Sequence, residues 1–236
     1  MSKQISIIIP ALNEAPFIQK LLSLLLENAS AENIAEIIVV DGGSTDETPK
    51  LVSAFTHEKI RLLNSEKGRA KQMNFGAKHA TGDILYFLHA DSFPPKNFDQ
   101  LIINEVEKGH AAGCFRMQFD SNHWWLQLAG WLTQFNWRAC RGGDQSQFIT
   151  KSLFYEIGGY DENYIIYEDN ILINELFARK QFVVINKPLQ TSARCYKKHG
   201  VWKLQYLYWT IYVKKWFGAS AQDLHDYYKK HVNVKT

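Results

Sequence analysis

Five apolar residues, Ile84-Leu85-Tyr86-Phe87-Leu88, run without a break and stop at His89-Ala90-Asp91, with Pro94-Pro95 just beyond. An unbroken run of this length fits a strand buried on both faces, as in a parallel sheet covered by helices on each side. An imidazole and a carboxylate then sit where the strand leaves the sheet. In open α/β sheets that carboxyl edge is where ligands bind. An oxygen ligand there, beside a loop, suits a hard divalent cation bridging to phosphate; the same acid can simply cap the next helix.

Three further strand-helix units precede this one. Residues 5–9 form a strand ended by Pro10, and Asn13 is placed to cap the next helix, with Glu14 and Pro16 in its first turn. Residues 37–40 form a second strand that runs into Asp41-Gly42-Gly43-Ser44-Thr45-Asp46-Glu47, where Ser44 with Glu47 fits a capping box and Asp46 is the alternative cap. Asp41 lies directly at the strand end, able to accept hydrogen bonds from a ribose or a base N–H, or to close a turn. Residues 60–63 are a short third strand. Gly68-Arg69-Ala70-Lys71-Gln72 opens a helix for which Gly82 is placed as a left-handed cap. Arg69, at that helix's N-terminus, can meet an anion or stand solvated. This alternation predicts an α/β, Rossmann-like fold with a mostly parallel central sheet flanked by helices. It brings Asn13-Glu14, Asp41 and Asp91 to one edge.

Absences narrow the classes. No Gly-x-Gly-x-x-Gly follows the first strand and no Gly-Lys-Ser/Thr loop occurs, which disfavours dinucleotide-dependent dehydrogenases and P-loop enzymes. A net charge of +3 is too small to argue for nucleic acid. Cys114, Cys140 and Cys195 are odd in number and lack metal-type spacing, as expected of free thiols in a reducing compartment. With no apolar run of membrane-spanning length and no signal-peptide pattern, a cytoplasmic protein is expected.

The second half is more aromatic. A helix over 98–106 ends at Gly109, and 111–119 alternates as a strand. Residues 124–140 are helix-like, with Trp124, Leu128, Trp131 and Phe135 on one stripe read mainly as core. Arg141-Gly142-Gly143-Asp144-Gln145 is a polar loop that lets backbone approach a ligand, or a capped turn. Tyr167-Glu168-Asp169 opens a helix whose dipole favours the two acids. Residues 182–185 form a strand and 192–200 a basic loop. Trp202, Tyr206, Trp209, Val213 and Trp216 form a helical stripe among Lys203, Lys214 and Lys215. Such a helix suits an anionic membrane face or packs on the domain or a second subunit; the stripe's size favours packing or dimerisation. A short last helix covers 223–231.

The segments Pro10-Ala11-Leu12-Asn13-Glu14, Val40-Asp41-Gly42-Gly43-Ser44-Thr45-Asp46, the stretch from Gly68 through Ala77, and Gly82-Asp83 leading to Asp91 together resemble family 2 glycosyltransferases of the GT-A fold. With the later motifs the resemblance covers nearly the whole chain. Two positions depart from the pattern: His89 stands where the metal motif Asp-x-Asp has its first acid, and Asp41-Gly42 replaces a common Asp-Asp pair. The resemblance implies one glycosyltransferase domain over 1–236, with a nucleotide-sugar half (1–110), an acceptor half (111–200) and C-terminal aromatic helices (201–236). It implies a nucleotide-sugar donor, UDP being the usual nucleotide, a hydroxyl acceptor, and Mn2+ or Mg2+ held by Asp91 with His199 as a further ligand. Pro10, Asn13, Glu14, Asp41, Arg69, Asp91 and Arg194 fall at nucleotide-sugar positions. Asp144 and Gln145 resemble the Gly-Asp-Gln element of a subgroup that also carries His-Ala-Asp, and are expected at the sugar or acceptor. Asp169 is expected as the base of inverting transfer, with Glu168 orienting acceptor or metal. The missing first acid leaves a non-catalytic sugar-nucleotide or membrane-surface adaptor as the alternative.

Overall fold

The computed structural model of the chain describes residues 3–142 and 145–232. Strands β1 (Ile5–Ala11), β2 (Ile34–Asp41), β3 (Ile60–Asn64) and β4 (Ile84–Phe87) lie parallel in the order β3-β2-β1-β4. Helices α1 (Ala15–Asn28), α2 (Thr48–Ser53) and α3 (Arg69–His79) return the chain between them. Succession runs outward from β1 to β3 and then jumps to the other side of β1 for β4. The topological switch point therefore lies between β1 and β4.

Later strands β5 (Ser92–Phe93), β6 (Ala112–Phe119), β7 (Gln147–Thr150) and β8 (Phe182–Thr191) extend the sheet to β3-β2-β1-β4-β7-β6-β8-β5. Strand β7 is antiparallel to β4 and β6, β6 and β8 are parallel, and β5 is antiparallel to β8. The helices of this half are α4 (Phe98–Glu107), α5 (Trp124–Leu132), α6 (Lys151–Glu156), α7 (Glu168–Ala178), α8 (Arg194–His199), α9 (Val201–Trp216) and α10 (Ala221–His231).

The continuous apolar strands follow from burial on both faces. Successive side chains alternate, so Ile5, Ile7, Ile9, Ile84 and Tyr86 pack with Leu21, Leu22 and Phe98 on one side. Ile8, Ile38, Leu85 and Phe87 pack with Met73, Leu153 and Leu176 on the other. A third core, with Met117, Leu126, Tyr196, Leu204, Leu207, Ile211 and Leu224, joins the C-terminal helices to β6.

Several local expectations change. Gly82 does not cap α3 in a left-handed turn. The helix ends at Ala80 with φ −73°, and a Cβ on Gly82 would meet the Gln4 carbonyl oxygen at 2.7 Å. Close backbone approach, not a positive φ, is what Gly82 serves. The Ser44–Glu47 capping box does not form: Glu47 precedes α2 without a side-chain cap bond, and Asp46 Oδ1 accepts from Thr48 N at 2.9 Å. The 192–200 loop contains the short helix α8. Trp124 and Trp131 are not core but 60% and 50% exposed.

Near the amino ends of the parallel strands a buried acid, Glu36, is fully partnered. Glu36 accepts from Ser6 Oγ (2.6 Å), Thr81 N (2.7 Å), Thr81 Oγ1 (2.8 Å) and Arg61 Nη1 (3.0 Å). Burial works to raise its pKa, but these donors outweigh burial and hold it below the ordinary carboxylate value of 4.5. A depressed carboxylate stabilises the fold above its unfolded pKa, and that contribution is lost as pH falls through the depressed value. Glu36→Gln should therefore cost about 1–3 kcal/mol at neutral pH and less at about pH 3, measured by urea melts.

Candidate active site

The β1–α1 turn is tied to the loop after β2. Asn13 adopts φ 57° and is not a helix cap. Its Oδ1 instead accepts from Thr45 N (2.8 Å) and Asp46 N (3.3 Å), while its own N–H donates to Ser44 Oγ (2.8 Å). Glu14 N donates to Thr48 Oγ1 at 2.8 Å, and Ala15 N to Asp46 Oδ2 at 3.1 Å. The side chain of Asn13 thus shapes the loop that follows Asp41. Pro10 sits within β1 opposite Val40.

Asp41 ends β2, with Ala11 of β1 beside it. Its Oδ2 accepts from Gly43 N (2.9 Å) and Ser44 N (3.0 Å). Its Oδ1 is buried without a hydrogen-bond partner among the described residues. A buried acceptor left unpaired is costly in a folded protein, and a ligand N–H or O–H would relieve it.

Asp91 follows β4 on the far side of β1. The β5–β8 pairing sets Ser92 against Thr191, with Oγ atoms 3.0 Å apart, and Ser192 N donates to the Asp91 carbonyl at 3.2 Å. That register delivers the first residue of α8, Arg194, to the strand ends. Its Nε lies 3.0 Å from Asp91 Oδ2, Nη1 2.8 Å from Glu14 Oε2 and Nη2 2.5 Å from Glu14 Oε1. The guanidinium also stacks over Phe17, 4.9 Å from the ring centre. One cation therefore bridges two carboxylates across the switch point. Burial pushes the Glu14 pKa up, and Arg194 only partly offsets this.

The second carboxylate pair opens α7. Tyr167 takes φ 76°, and Glu168 and Asp169 follow, both buried. Arg69 reaches both, with Nε 3.2 Å from Glu168 Oε1 and Nη1 3.4 Å from Asp169 Oδ2. Arg69, expected among the nucleotide-sugar residues, is thus ion-paired with both acids of α7. One turn on in α3, Gln72 Nε2 donates to the Ala11 and Val40 carbonyls, each at 2.8 Å. Arg69 and Asp41 are thereby fixed to the same edge of the sheet. Tyr160, packed edge-on to Phe87 at 5.0 Å, has its hydroxyl pKa pushed well up, chiefly by burial and then by Asp169 and Glu168.

The remaining expected residues divide. Gln145 is 6% exposed, its amide donating to the Cys140 carbonyl at 3.3 Å, so it forms part of the interior wall. Asp144 lies outside the described residues. His89 is half-buried. His199 ends α8, about 140° around the helix from Arg194; the α8 residue that touches Asp91 is Arg194. Among the described residues no three His, Cys, Asp or Glu side chains form a metal cage. The donor set instead fits a cation bound through one carboxylate and completed by ligand phosphates and water, as is usual for Mg2+.

Sequence reasoning missed Gln72 and the Tyr212–Asn170 contact beside Asp169, where Tyr212 Oη donates to Asn170 Oδ1 at 3.1 Å. Gln72 lies about 100° around α3 from Met73, off the Ala70–Met73–Ala77 stripe, so periodicity alone gave no reason to expect it buried.

Comparison with known proteins bears on the family and the fold. A family model described as "Glycosyl transferase family 2" matches residues 6–161. "Probable glycosyltransferase YdaM" of Bacillus subtilis is 25% identical over 193 residues, covering 72% of this chain and 46% of that protein. The undecaprenyl-phosphate 4-deoxy-4-formamido-L-arabinose transferase of Yersinia enterocolitica is 33% identical over 119 residues, 46% of this chain and 35% of that protein. The chain spans less than half the length of such curated relatives. Among solved structures, the mannosyltransferase PcManGT from Pyrobaculum calidifontis, in complex with GDP-Man and Mn2+, superposes with TM-score 0.67 at 21% identity, covering 99% of this chain and 71% of that one. S. aureus TarS 1-349 in complex with UDP gives 0.67 at 18% identity, covering 80% and 60%. The shared fold is GT-A.

The Arg194 bridge has a pH signature. Removing it leaves Glu14 partly buried beside Asp91, and its pKa, already above 4.5, rises further. A carboxyl with a raised native pKa favours the fold below its unfolded pKa and loses that advantage as pH rises through the native value. Arg194→Met should thus match wild type at about pH 4 and fall about 1 kcal/mol behind at about pH 7 in urea melts. A deficit equal at both pH values would contradict the pairing.

Proposed function

The chain belongs to glycosyl transferase family 2, and on that footing we propose that it moves a sugar from a nucleotide-sugar donor to an acceptor hydroxyl at the carboxyl edge of β1, β2 and β4. The observation that carries this reading is the Arg194 bridge between Glu14 and Asp91 across the switch point, with the Arg69-held pair Glu168–Asp169 on the same edge.

Each residue then has a task. Asp41 offers its unpaired Oδ1 to an N–H or O–H of the nucleoside, and Pro10 and Asn13 shape the loop beside it. Arg194 turns from the carboxylates to the diphosphate, where a fixed cation stabilises the charge that develops on departure. Asp91 is the ligand for a divalent cation, which when bound supplies further positive charge at the diphosphate. The likeness to a structure holding GDP-Man and Mn2+ supports that use of metal. His199 lies off this face of α8 and is not assigned to the metal.

Asp169 takes the proton of the acceptor hydroxyl as its oxygen attacks the anomeric carbon. The bond from that carbon to the phosphate oxygen breaks, its electron pair leaves with the nucleoside diphosphate, and configuration inverts. Arg69 holds the orientation of Asp169, and Glu168 anchors Arg69. Solved neighbours bind UDP and GDP-Man; a UDP-sugar is the donor we assign.

Three variants separate the roles. Asp169→Asn should keep the thermal shift given by UDP with Mn2+ yet lose transfer by about a hundredfold or more. Asp91→Asn should lose the metal-dependent part of that shift. Asp41→Asn should leave the melting temperature nearly unchanged, since one oxygen still serves Gly43 and Ser44, while nucleotide binding weakens. Full transferase activity in both Asp91→Asn and Asp169→Asn would overturn the assignment.

A further inference from the structure

Helix α9 has two unlike faces. Leu204, Leu207 and Ile211 are buried in the third core. On the other side Trp202, Tyr206, Trp209, Val213 and Trp216 recur every three or four residues and so share one face. They are 52%, 67%, 48%, 49% and 85% exposed. Helix α5 extends this surface. Trp124 and Trp125 contact Trp202 with ring centres 5.9 and 5.5 Å apart, and the stripe of α5 through Trp131 is also exposed. A contiguous apolar area on this scale marks an interaction surface.

The charge around it has one dominant sign. From Arg194 to the C-terminus the sequence has nine Lys or Arg against two Asp. Lys203 and Lys214 stand about 100–120° around α9 from Trp202, along one border of the stripe. Asp223 and Asp226 lie with Lys214 near the end of the helix, and Lys197 faces Asp120 at 3.7 Å. Exposed Lys198, Lys203, Lys229 and Lys230 keep the region cationic.

We propose that this face of α9 and α5 docks on an anionic lipid bilayer. Trp and Tyr are the side chains that settle at headgroup depth, with an apolar body inward and a polar tip in the wet layer. Bordering lysines lay their stems along the apolar surface and place the ammonium among lipid phosphates. A second copy fits less well, because a twofold contact would bring the same cationic border in from both subunits. At 16 residues α9 is about 24 Å long, and no described helix is long and apolar enough to cross a membrane, so the contact is one of lying on the surface. On its inner side α9 reaches the first turn of α7 through Tyr212 to Asn170 (3.1 Å), and the segment before that helix through Lys215 to Tyr164. Docking therefore sets Asp169 close to the bilayer; the consequence, that the acceptor is presented from a membrane, rests on the proposed role of Asp169, while the docking itself does not.

The test uses the full chain with vesicles of phosphatidylcholine alone or with about 30% phosphatidylglycerol, by flotation and tryptophan emission, beside sedimentation for oligomeric state. Binding to the anionic vesicles with a blue-shifted emission, weakened by salt, is expected. Replacing Trp202, Tyr206 and Trp216 by Ser should weaken it by about tenfold or more. Lys203→Glu, which leaves the apolar face intact, should weaken it by about fivefold or more. Circular dichroism checks that each variant is folded. Absence of vesicle binding, binding that neither variant alters, or a dimer dispersed by the triple variant in place of vesicle binding would each overturn the proposal.

Discussion

Two carboxylates and one guanidinium organise this molecule. Parallel pairing of β1 with β4 puts the residues after those strands side by side, and the sequence places Glu14 and Asp91 there. Like charges at short range in a partly buried site raise each other's pKa unless a cation stands between them. Arg194 is that cation. It comes from 180 residues beyond Glu14, delivered by β8 pairing with the two-residue strand directly after Asp91. The second half of the sheet thus completes the electrostatics of the first.

The two ends of the parallel strands contrast. At the amino ends Glu36 has every strong donor it needs, and its pKa is lowered. At the carboxyl ends Asp41 keeps an unpaired buried oxygen and Glu14 has a raised pKa. A buried acceptor without a donor beside a carboxylate held by one movable cation is an arrangement that a charged, hydrogen-bonding ligand can complete. A nucleoside diphosphate offers both donors for Asp41 and anionic charge for Arg194. Arg69 plays the parallel part at α7, where two adjacent acids gain a cation as well as a helix dipole.

Much of this was legible in the chain because the cause was local. Unbroken apolar runs ended by acids gave the parallel strands and their carboxyl edge, and Asp41 and Asp91 lie where the pattern put them. What could not be read depends on contacts distant in sequence. Arg69 and Arg194 were both legible as cations near a ligand, but their partners Glu168, Asp169, Glu14 and Asp91 follow from strand order and register. Gly82 looked like a helix cap because glycine has two uses, and only the Gln4 carbonyl at 2.7 Å from a built Cβ shows which applies. Periodicity put Trp124 and Trp131 on one stripe correctly, yet it cannot say whether a stripe faces core or solvent.

The most direct measurement is a crystal structure of the chain with a nucleoside diphosphate and Mn2+, using anomalous scattering to place the metal. An Mn2+ peak against Asp91 is expected, with diphosphate oxygens facing an Arg194 that has left Glu14 and a nucleoside donor on Asp41 Oδ1. A diphosphate bound elsewhere, with Arg194 still bridging Glu14 and Asp91, would contradict it.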